Sequence, residues 1–509
     1  MVHAGARPDG IPQVGRALPL LSFSKLVGKA TPLAPISRAL APVQKGDAAP
    51  TVYVVGGFVR DALIGRSPVE MDLTVAPSAF DAVVEALGRV ASVPPFALNE
   101  RFGTVRMKVG ATVVDVSALN GATIADDLAC RDFTMDAVAL PLAEYSVADD
   151  VAASIVWIDK AEADLQRRIV RMVSEANLKA DPVRILRAFR LSAQLGFTIE
   201  PETHAAIRRN AALVTESSAE RVREELFAIL GLPRSHPTLV QMDDARVLSQ
   251  IIPELEENRG AGQNEFHHLN VLDHLLETVR QWDILKDDLA LFSYMFLTPL
   301  KRHIAEVVEG GHTREQIIAW AALLHDIKKT ACRGVGDDGR ITFYRHDTEG
   351  ALAAAEISRR LRLSNREVEL TESLVAHHLR LGFLTREMPP PDKLVYRYFR
   401  ALGDAAVMSV LLSVADRMAT RGRASTQKSL DEHLEVADLL LYQAFLARDK
   451  VEPKPLLTGD EIMETLRIKE GPRVGEVKEA LLEAQAAGEV KDKDAAVAFI
   501  RSFAAEHPG

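Results

Sequence analysis

The residues best suited to chemistry near the start of the chain are two glycines and three carboxylates. Gly56 and Gly57 lie between a strand pattern and a helical pattern. Glycines at such a junction let backbone amides approach a phosphate, and the helix amino terminus favours the anion. Glu70 and Asp72 are two residues apart on a second strand pattern, so both side chains point to one face. With Asp115 from a later strand, they could bind one or two Mg²⁺ ions for phosphoryl transfer.

A second set of chemically suited residues is rich in histidine. Ten of the fourteen histidines fall between residues 259 and 450. His325-Asp326 follows an apolar helical pattern, and the two residues can bind one metal ion if other helices supply further ligands. The pair His377-His378 offers an extra ligand, and we choose His377. With His346 and this extra ligand, the site could hold two metal ions. The predicted ligands are His274, His325, Asp326, His346, His377 and Asp416.

A third feature is a pair of opposite charges, Asp181 and Arg184. Their spacing predicts that they share one face of a helix. A carboxylate only accepts hydrogen bonds, whereas a guanidinium only donates them. Cytosine and adenine each present an amine donor beside a ring-nitrogen acceptor, and uracil and guanine present the reverse. The pair is therefore expected to favour C and A over U and G, although a surface ion pair is the simpler alternative.

Four motifs give the chain a family resemblance. Gly56–Arg66, followed by Glu70-Met71-Asp72-Leu73-Thr74, resembles the opening signature of class II tRNA nucleotidyltransferases and bacterial poly(A) polymerases. The segments Arg131–Ala137, Ala180–Arg190 and Glu220–Leu226 resemble the next three motifs of that family, in the same order.

The resemblance implies a role for each matching residue. Gly56 and Gly57 would hold the triphosphate, while Glu70 and Asp72 would bind Mg²⁺ and Asp115 would activate an RNA 3′-hydroxyl. The remaining nucleotide-binding residues would be Arg60, Arg131, Asp132, Asp181, Arg184, Arg187 and Arg190. The implied partners are tRNA, CTP and ATP.

The histidine-rich region carries a resemblance of its own. The order His, His-Asp, Asp is similar to that of the HD superfamily of metal-dependent phosphohydrolases, and some tRNA nucleotidyltransferases carry such a domain after the neck. The implied activity is hydrolysis of 2′,3′-cyclic or terminal phosphates with a divalent metal whose identity stays open. Lys328 and Lys329 follow the doublet closely, so the extra ammonium group there could bind phosphate or could simply lie on the surface.

The chain also departs from the family pattern. Glu70 stands where the family usually has the first Asp of Asp-x-Asp. Cys130 stands in place of a usual Arg, Asp136 in place of a usual Asn, and Ala180 in place of a usual Glu. The segment between Leu119 and Asp126 is short. Full CCA-adding members often carry a longer loop there, and its loss is associated with enzymes that add only part of CCA.

The elements that must position these residues predict an α+β protein. A small mixed-sheet head, similar to that of polymerase beta, precedes mostly helical regions. We predict a disordered tail (1–50), the head (51–165), a helical nucleotide-selecting neck (166–258), an HD domain (259–450) and a helical RNA-binding tail (451–509). A hairpin turning at Gly110 is expected to carry Asp115.

Composition argues against a membrane protein and against a disulfide-rich protein. The net charge, however, is a poor guide to RNA binding in this chain. The sequence has 509 residues, 26% of them charged, and no run of 18 apolar residues, which argues against a membrane span. Two cysteines cannot build a disulfide framework, so we expect a cytoplasmic protein. The net charge of −10 argues against RNA, but residues 166–235 hold twelve Arg and Lys against eight acidic residues.

Three alternatives to a tRNA nucleotidyltransferase stay open. The first is a poly(A) polymerase of the same fold. The second is an HD phosphohydrolase with a degenerate head, which the changes at Glu70, Cys130 and Ala180 motivate. The third is a non-catalytic RNA-binding protein. The oligomeric state is left open.

Overall fold

The computed structural model describes residues 33–44, 51–68, 70–99, 103–142 and 155–507. The chain divides into two compact units, residues 1–217 and 218–509. The division falls within the region 166–258 that we predicted as one neck. The first unit holds the large sheet and the second is mostly helical, so the predicted α+β class is confirmed.

A mixed sheet of seven strands forms the centre of the first unit, in the order β3-β4-β5-β2-β1-β6-β7. Its strands are β1 (Val52–Val55), β2 (Glu70–Val75), β3 (Val93–Asn99), β4 (Thr104–Val109), β5 (Thr112–Ala118), β6 (Val138–Pro141) and β7 (Val156–Trp157).

The register of the central strands decides where the carboxylates lie. β2 and β5 run parallel with Asp72 opposite Asp115, and β4 and β5 form the predicted hairpin. Gly110 turns that hairpin with φ of 63°, a conformation that glycine adopts without steric cost. Apolar residues alternate along both partners, and the side chains of Met71 and Val114 are completely buried. This alternation leaves Asp72 and Asp115 together on the other face of the sheet.

Helices and two short strands complete the first unit. They are α1 (Leu33–Leu40), α2 (Gly57–Leu63), α3 (Phe80–Gly88), α4 (Ile124–Ala129), α5 (Ala161–Arg167), β8 (Ile169–Val170), α6 (Glu175–Ala180), α7 (Arg184–Leu195), β9 (Thr198–Ile199) and α8 (Pro201–Arg209). Helix α1 lies in the segment predicted to be disordered. It packs on α3 with Ile36 and Leu40 completely buried, so that prediction is wrong for this stretch. Residues 1–32 and 45–50 lie outside the described residues.

Helices build the second unit. They are α9 (Ala219–Leu230), α10 (His236–Asp244), α11 (Leu248–Ile251), α12 (Val271–Asp287), α13 (Leu297–Ile304), α14 (Arg314–Leu324), α15 (His346–Arg360), α16 (Asn365–His377), α17 (Arg380–Leu384), α18 (Asp392–Leu402), α19 (Ala406–Ala419), α20 (Gln427–Leu446), α21 (Arg448–Val451), α22 (Gly459–Leu466), α23 (Pro472–Ala486) and α24 (Lys493–Glu506). A two-stranded hairpin, β10 (Gly334–Val335) and β11 (Ile341–Thr342), interrupts them.

The core of the second unit forms where α12, α14 and α19 pack on one another. Residues 317–324 of α14 are completely buried, and so is Trp282 of α12. A helix that is apolar on all sides needs neighbours on all sides, and α12, α15, α16 and α19 supply them. The metal ligands predicted above lie at the ends of these core helices or on them.

The end of the chain forms a separate small core within this unit. We predicted a helical tail over residues 451–509, and its last three helices are α22 to α24. Ile462, Val477, Leu481 and Ile500 come together between them. Helix α23 packs on α18, where Glu483 accepts hydrogen bonds from Arg397.

One stretch of the described residues, Asp392–Ala419, is long and apolar enough to cross a membrane. It comprises α18, a short 3-10 turn and α19, and 72% of its most apolar window is buried inside the protein. This burial is typical of a core helix in a globular domain.

Candidate functional site

The turn between β1 and α2 brings a glycine, an arginine and a carboxylate together. Gly56 has φ of 69°. A Cβ at this position would lie 2.8 Å from Arg131 Nη1 and 3.7 Å from Asp72 Oδ2. The backbone conformation therefore favours glycine here, and a Cβ would also displace the end of the Arg131 side chain. Gly57 begins α2, so backbone N–H groups without helical partners lie beside Asp72.

The three predicted carboxylates concentrate negative charge beside this turn. Burial raises the pKa of Asp72 to about 6 against the opposing charge of Arg131, and the charges of Asp115 and Glu70 add to the rise. A divalent cation would relieve this repulsion, so the donors fit Mg²⁺, which prefers oxygen ligands. Their oxygens do not all lie within 4.8 Å of one another, and the Glu70 side chain is 61% exposed.

Arg106 is a part of this site that we did not predict. Its Nε and Nη2 each donate a hydrogen bond of 2.8 Å to the two oxygens of Asp115, and Nη2 lies 4.0 Å from Glu70 Oε2. The hairpin turn contained the necessary signal. Val109 and Thr112 pair beside the turn. Three residues further from the turn on each strand, Arg106 lies opposite Asp115.

Asp132 is enclosed rather than facing solvent. Its Oδ2 accepts a 2.8 Å hydrogen bond from Arg187 Nε. Burial would raise the pKa of Asp132, but Arg187 outweighs it and the pKa is lowered. Arg131 contacts Asp127 at 3.2 Å, and Arg190 donates to Gln194. Contacts of these residues with a nucleotide remain a prediction.

Arg60 has a different environment from the one we predicted. We assigned it to nucleotide binding, but its side chain is buried and paired with two acids. Nη1 lies 2.6 Å from Asp136 Oδ1, and Nη2 lies 2.8 Å from Asp61 Oδ1. Asp136 puts a carboxylate into the core, where burial raises its pKa, and the charge of Arg60 opposes that rise.

Removing this compensation is expected to destabilise the first unit. Arg60→Ala leaves Asp136 buried without a partner, which costs about 3 kcal/mol of unfolding free energy. Asp136→Asn in the same background removes the charge and restores most of that loss. Calorimetric unfolding of the single and double variants measures both effects. Equal destabilisation of the two proteins would contradict the pairing.

Asp181 and Arg184 are paired, but not on one helix. Asp181 caps the carboxyl end of α6, and α7 begins only at Arg184. The prediction of a shared helix face is wrong because Pro182 disfavours helical backbone in the residue before it. Asp181 Oδ2 nevertheless lies 3.7 Å from Arg184 Nε, and Arg184 Nη1 also donates to the carbonyls of Cys130 and Asn177.

A cluster of histidines and aspartates forms a candidate metal centre in the second unit. His274 and Asp416 lie on α12 and α19, His325-Asp326 follow α14, and His346 begins α15. Two groups have ligand atoms that all lie within 4.8 Å of one another. These groups are His274, His325 and Asp416, and Asp326, His346 and His378.

The aspartates join the two groups into one centre. Asp326 Oδ2 lies 3.6 Å from His274 Nε2 and 3.4 Å from His325 Nε2. Its other oxygen, Oδ1, lies 3.4 Å from His346 Nε2 and 3.7 Å from His378 Nε2. One carboxylate therefore faces both groups, as a ligand shared by two metal ions would.

Three of the histidines are oriented by the backbone that precedes them. The Nδ1 atoms of His325, His346 and His378 lie 2.9, 2.5 and 2.7 Å from backbone carbonyls three residues earlier. A carbonyl only accepts, so Nδ1 carries a proton, and in the neutral ring the free lone pair is on Nε2. This arrangement is the one that metal-binding imidazoles use.

The centre fits a divalent metal because it gathers enclosed polar atoms that lack regular hydrogen bonds. His274 Nε2, His325 Nε2, Asp326 Oδ1 and Asp416 Oδ1 make no hydrogen bond of regular geometry to the described residues, although His274 Nε2 lies 3.0 Å from Asp416 Oδ1. Such buried atoms are rare in native proteins. Burial alone would lower the pKa of His325, but Asp326 and Asp416 raise it to about 10. The two carboxylates therefore favour a cation between them.

The structure corrects our choice between two neighbouring histidines. We predicted His377 as the ligand, but His378 lies in the cluster and is buried. His377 is the last residue of α16, and its Nδ1 accepts a 3.1 Å hydrogen bond from Arg380 Nε. Successive residues on a helix differ by about 100° in direction, so only one of the two can face the centre.

A cavity of about 330 Å³ opens beside the centre, and its lining includes Lys329, His267, Ser413 and His433. The side chain of Lys329 is buried, and its Nζ lies 2.7 Å from Asp326 Oδ2 and 3.3 Å from His267 Nε2. Ser413 Oγ lies 3.2 Å from His433 Nε2 on the same wall. Lys329 was one of two lysines noted beside the doublet, whereas His267 carried no distinguishing signal.

Three family models match successive stretches of the chain. Residues 52–170 match the poly A polymerase head domain, and residues 196–258 match the "Probable RNA and SrmB-binding site of polymerase A". Residues 271–419 match the HD domain. The first contains the carboxylates and the third contains the candidate metal centre.

Similar proteins match along nearly all of the chain. An A-adding tRNA nucleotidyltransferase of Deinococcus radiodurans is 34% identical over 90% of this chain and 97% of its own. A CC-adding tRNA nucleotidyltransferase of Thermus thermophilus is 31% identical over 88% and 92%. The structure of a Thermotoga maritima CCA-adding enzyme complexed with tRNA shares the fold, with a TM-score of 0.59 and 19% identity over 94% of this chain and 97% of that one.

Proposed function

The chain belongs to the tRNA nucleotidyltransferase family, and from that premise we propose that it extends tRNA 3′ ends with C, A or both. The observation that carries this proposal is the register of Asp72 with Asp115 beside the Gly56 turn and Arg131. An anionic triphosphate and its cation both find partners there. The two free cysteines, Cys130 and Cys332, fit the cytoplasm as its location.

The proposed reaction uses these residues in distinct ways. The 3′-oxygen of RNA bonds to the α-phosphorus of the incoming nucleotide, and pyrophosphate leaves. Asp115 takes the proton of the hydroxyl. Arg106 must first release the Asp115 carboxylate, to which it donates two hydrogen bonds. Glu70 and Asp72 would hold Mg²⁺, which when bound neutralises charge on the phosphates. Asp181 and Arg184 would contact the base edge, and the backbone at Gly56 and Gly57 would contact the phosphates.

We further propose that this chain adds only part of the CCA end. The connection from β5 to α4 has just five residues, Leu119–Thr123. Hydrogen bonds fix this connection to the start of α4. Asn120 N–H donates to Asp127, and Thr123 forms a capping box with Asp126. In this family the longer loop at that place accompanies full CCA addition, so its replacement by a compact turn supports partial addition.

A three-substrate assay tests both proposals. We expect tRNAs ending before CCA, after C or after CC to be extended unequally when CTP and ATP are supplied singly and together. A CC-adding enzyme stops after two C residues, and an A-adding enzyme acts only on tRNA ending in CC. Sequencing of the product ends measures this difference.

Other outcomes of the same assay would contradict the proposals. Complete CCA on all three substrates would overturn partial addition but keep the tRNA activity. Long A tails without dependence on CTP would instead indicate a poly(A) polymerase. No incorporation on any substrate would overturn the tRNA activity.

For the second unit we propose phosphohydrolase activity on 2′,3′-cyclic or terminal phosphates. The supporting observation is the set of enclosed ligand atoms without regular hydrogen bonds next to an open cavity. In the reaction, the oxygen of water bonds to phosphorus, one P–O ester bond breaks, and the leaving oxygen takes a proton. The ligands named above would hold the metal, which when bound lowers the pKa of water. Release of product from 2′,3′-cyclic AMP tests the activity.

A further inference from the structure

A groove of about 510 Å³ lies next to the metal centre, and nothing above uses it. One wall is the loop 263–266, and the other runs from Asp338 through β11 to Tyr344. Its volume falls in the range of about 300–1,000 Å³ that is typical of small-molecule sites. Asp338, Arg340 and Glu265 make its lining polar and mixed in charge, so it suits a ligand with both polar and flat apolar parts.

Two exposed aromatic rings flank this groove. Tyr344 is 81% exposed and Phe266 is 44% exposed. Single exposed aromatic residues are common, but two on opposite walls of one groove offer faces for stacking a flat ring.

The groove is connected to the centre through both walls. Phe266 also lines the cavity that contains Asp326 and Lys329. Tyr344 precedes the predicted ligand His346 by two residues, so their Cα atoms are at most about 7 Å apart. The groove therefore borders the centre, so a molecule with its phosphate at the centre can direct its base towards the groove.

The Phe266 wall is held in place by the loop that follows α19. Gly422 N–H donates 2.7 Å to the carbonyl of Phe266, and Ala424 N–H donates 3.2 Å to the carbonyl of Glu265. A Cβ at Gly422 would lie 2.2 Å from the Glu265 carbonyl oxygen, so only glycine permits this approach. The stacking surface is therefore built into the fold beside the helix that carries Asp416.

We propose that this groove is the base-binding subsite of the metal centre and that its ligand is a nucleotide carrying a 2′- or 3′-phosphate. The inference rests on the proposed phosphohydrolase function and adds recognition of the base to it. The nucleotide can be free or can be the last residue of an RNA, since the two share base, sugar and phosphate.

Substitution of Tyr344 tests the subsite. Loss of stacking costs about 5-fold to 100-fold in affinity. We therefore expect Tyr344→Ala to raise KM for 2′,3′-cyclic AMP by that factor and to leave the hydrolysis of glycerol 1,2-cyclic phosphate unchanged, because that substrate has no flat ring to stack. Tyr294→Ala is the matched control, since Tyr294 is 82% exposed in the same unit but does not line the groove.

Two further measurements distinguish a free nucleotide from an RNA end as the ligand. They also distinguish failure of the subsite proposal from failure of the phosphohydrolase proposal. A tRNA ending in a 2′,3′-cyclic phosphate is assayed beside the free nucleotide. A raised KM for both supports the terminal nucleotide as ligand, and a raised KM for RNA alone supports a base within the chain. Calorimetric binding of adenosine 3′-monophosphate to wild type and Tyr344→Ala does not depend on turnover, and an equal Kd would overturn the subsite. Absence of all hydrolysis with a raised Kd would contradict only the phosphohydrolase proposal.

Discussion

Asp72→Asn is expected to lower nucleotide incorporation into tRNA by about 10³-fold or more. The substitution keeps the size of the side chain but removes its negative charge. Of the three carboxylates that would bind Mg²⁺ and activate the hydroxyl, only Asp115 and Glu70 then remain. Neutralising phosphate charge by bound metal contributes several kcal/mol to the transition state, and each 1.4 kcal/mol is about tenfold in rate. Single-turnover incorporation of labelled CTP and ATP, at saturating Mg²⁺, measures the loss.

A carboxylate elsewhere in the head provides the matched control. Asp81 is exposed in the first turn of α3, and we expect Asp81→Asn to retain wild-type incorporation. Hydrolysis of 2′,3′-cyclic AMP should be equal in all three proteins because the second unit is unaltered. Incorporation by Asp72→Asn within tenfold of wild type would contradict the assigned role.

The sheet of the head was predictable because strand periodicity and hairpin geometry are local. The turn at Gly110 and the alternation along β5 were enough to place Asp115 on the face opposite Val114. The same register gives the pairing of Arg106 with Asp115, which could have been derived before the structure. The parallel alignment of Asp72 with Asp115 joins strands that are distant in sequence, and only the family resemblance pointed to it.

Other features depend on which direction a side chain takes, and spacing alone does not decide that. Asp181 and Arg184 have helical spacing, but Pro182 breaks the helix between them, and their ion pair survives in a turn. Arg60 matches a family motif, yet its neighbour Asp136 draws it into the core. The first outcome could have been derived from Pro182, which is local. The second depends on Arg60 and Asp136, which lie 76 residues apart in the sequence.

The neighbouring histidines at the end of α16 give the sharpest test of the metal centre. His378→Ala is expected to reduce metal affinity at least about 100-fold, because changes outside the ligand shell alone cost about 10–100-fold. Burial lowers the pKa of His378 to about 4, so the ring is neutral near pH 7 and its Nε2 is available to a metal ion. Metal content after dialysis, measured by plasma mass spectrometry, and hydrolysis of bis(p-nitrophenyl) phosphate should fall together.

His377→Ala is the matched control because the same atoms are removed one residue away. The His377 ring contacts Arg380 and belongs to neither ligand group, so the bound metal and the hydrolytic rate should stay within about twofold of wild type. Nucleotide incorporation by the head should be unchanged in both variants. Equal metal loss in the two proteins would indicate a general disturbance of α16. Loss in His377→Ala alone would overturn the ligand set, since helix geometry allows only one of the two rings to face Asp326.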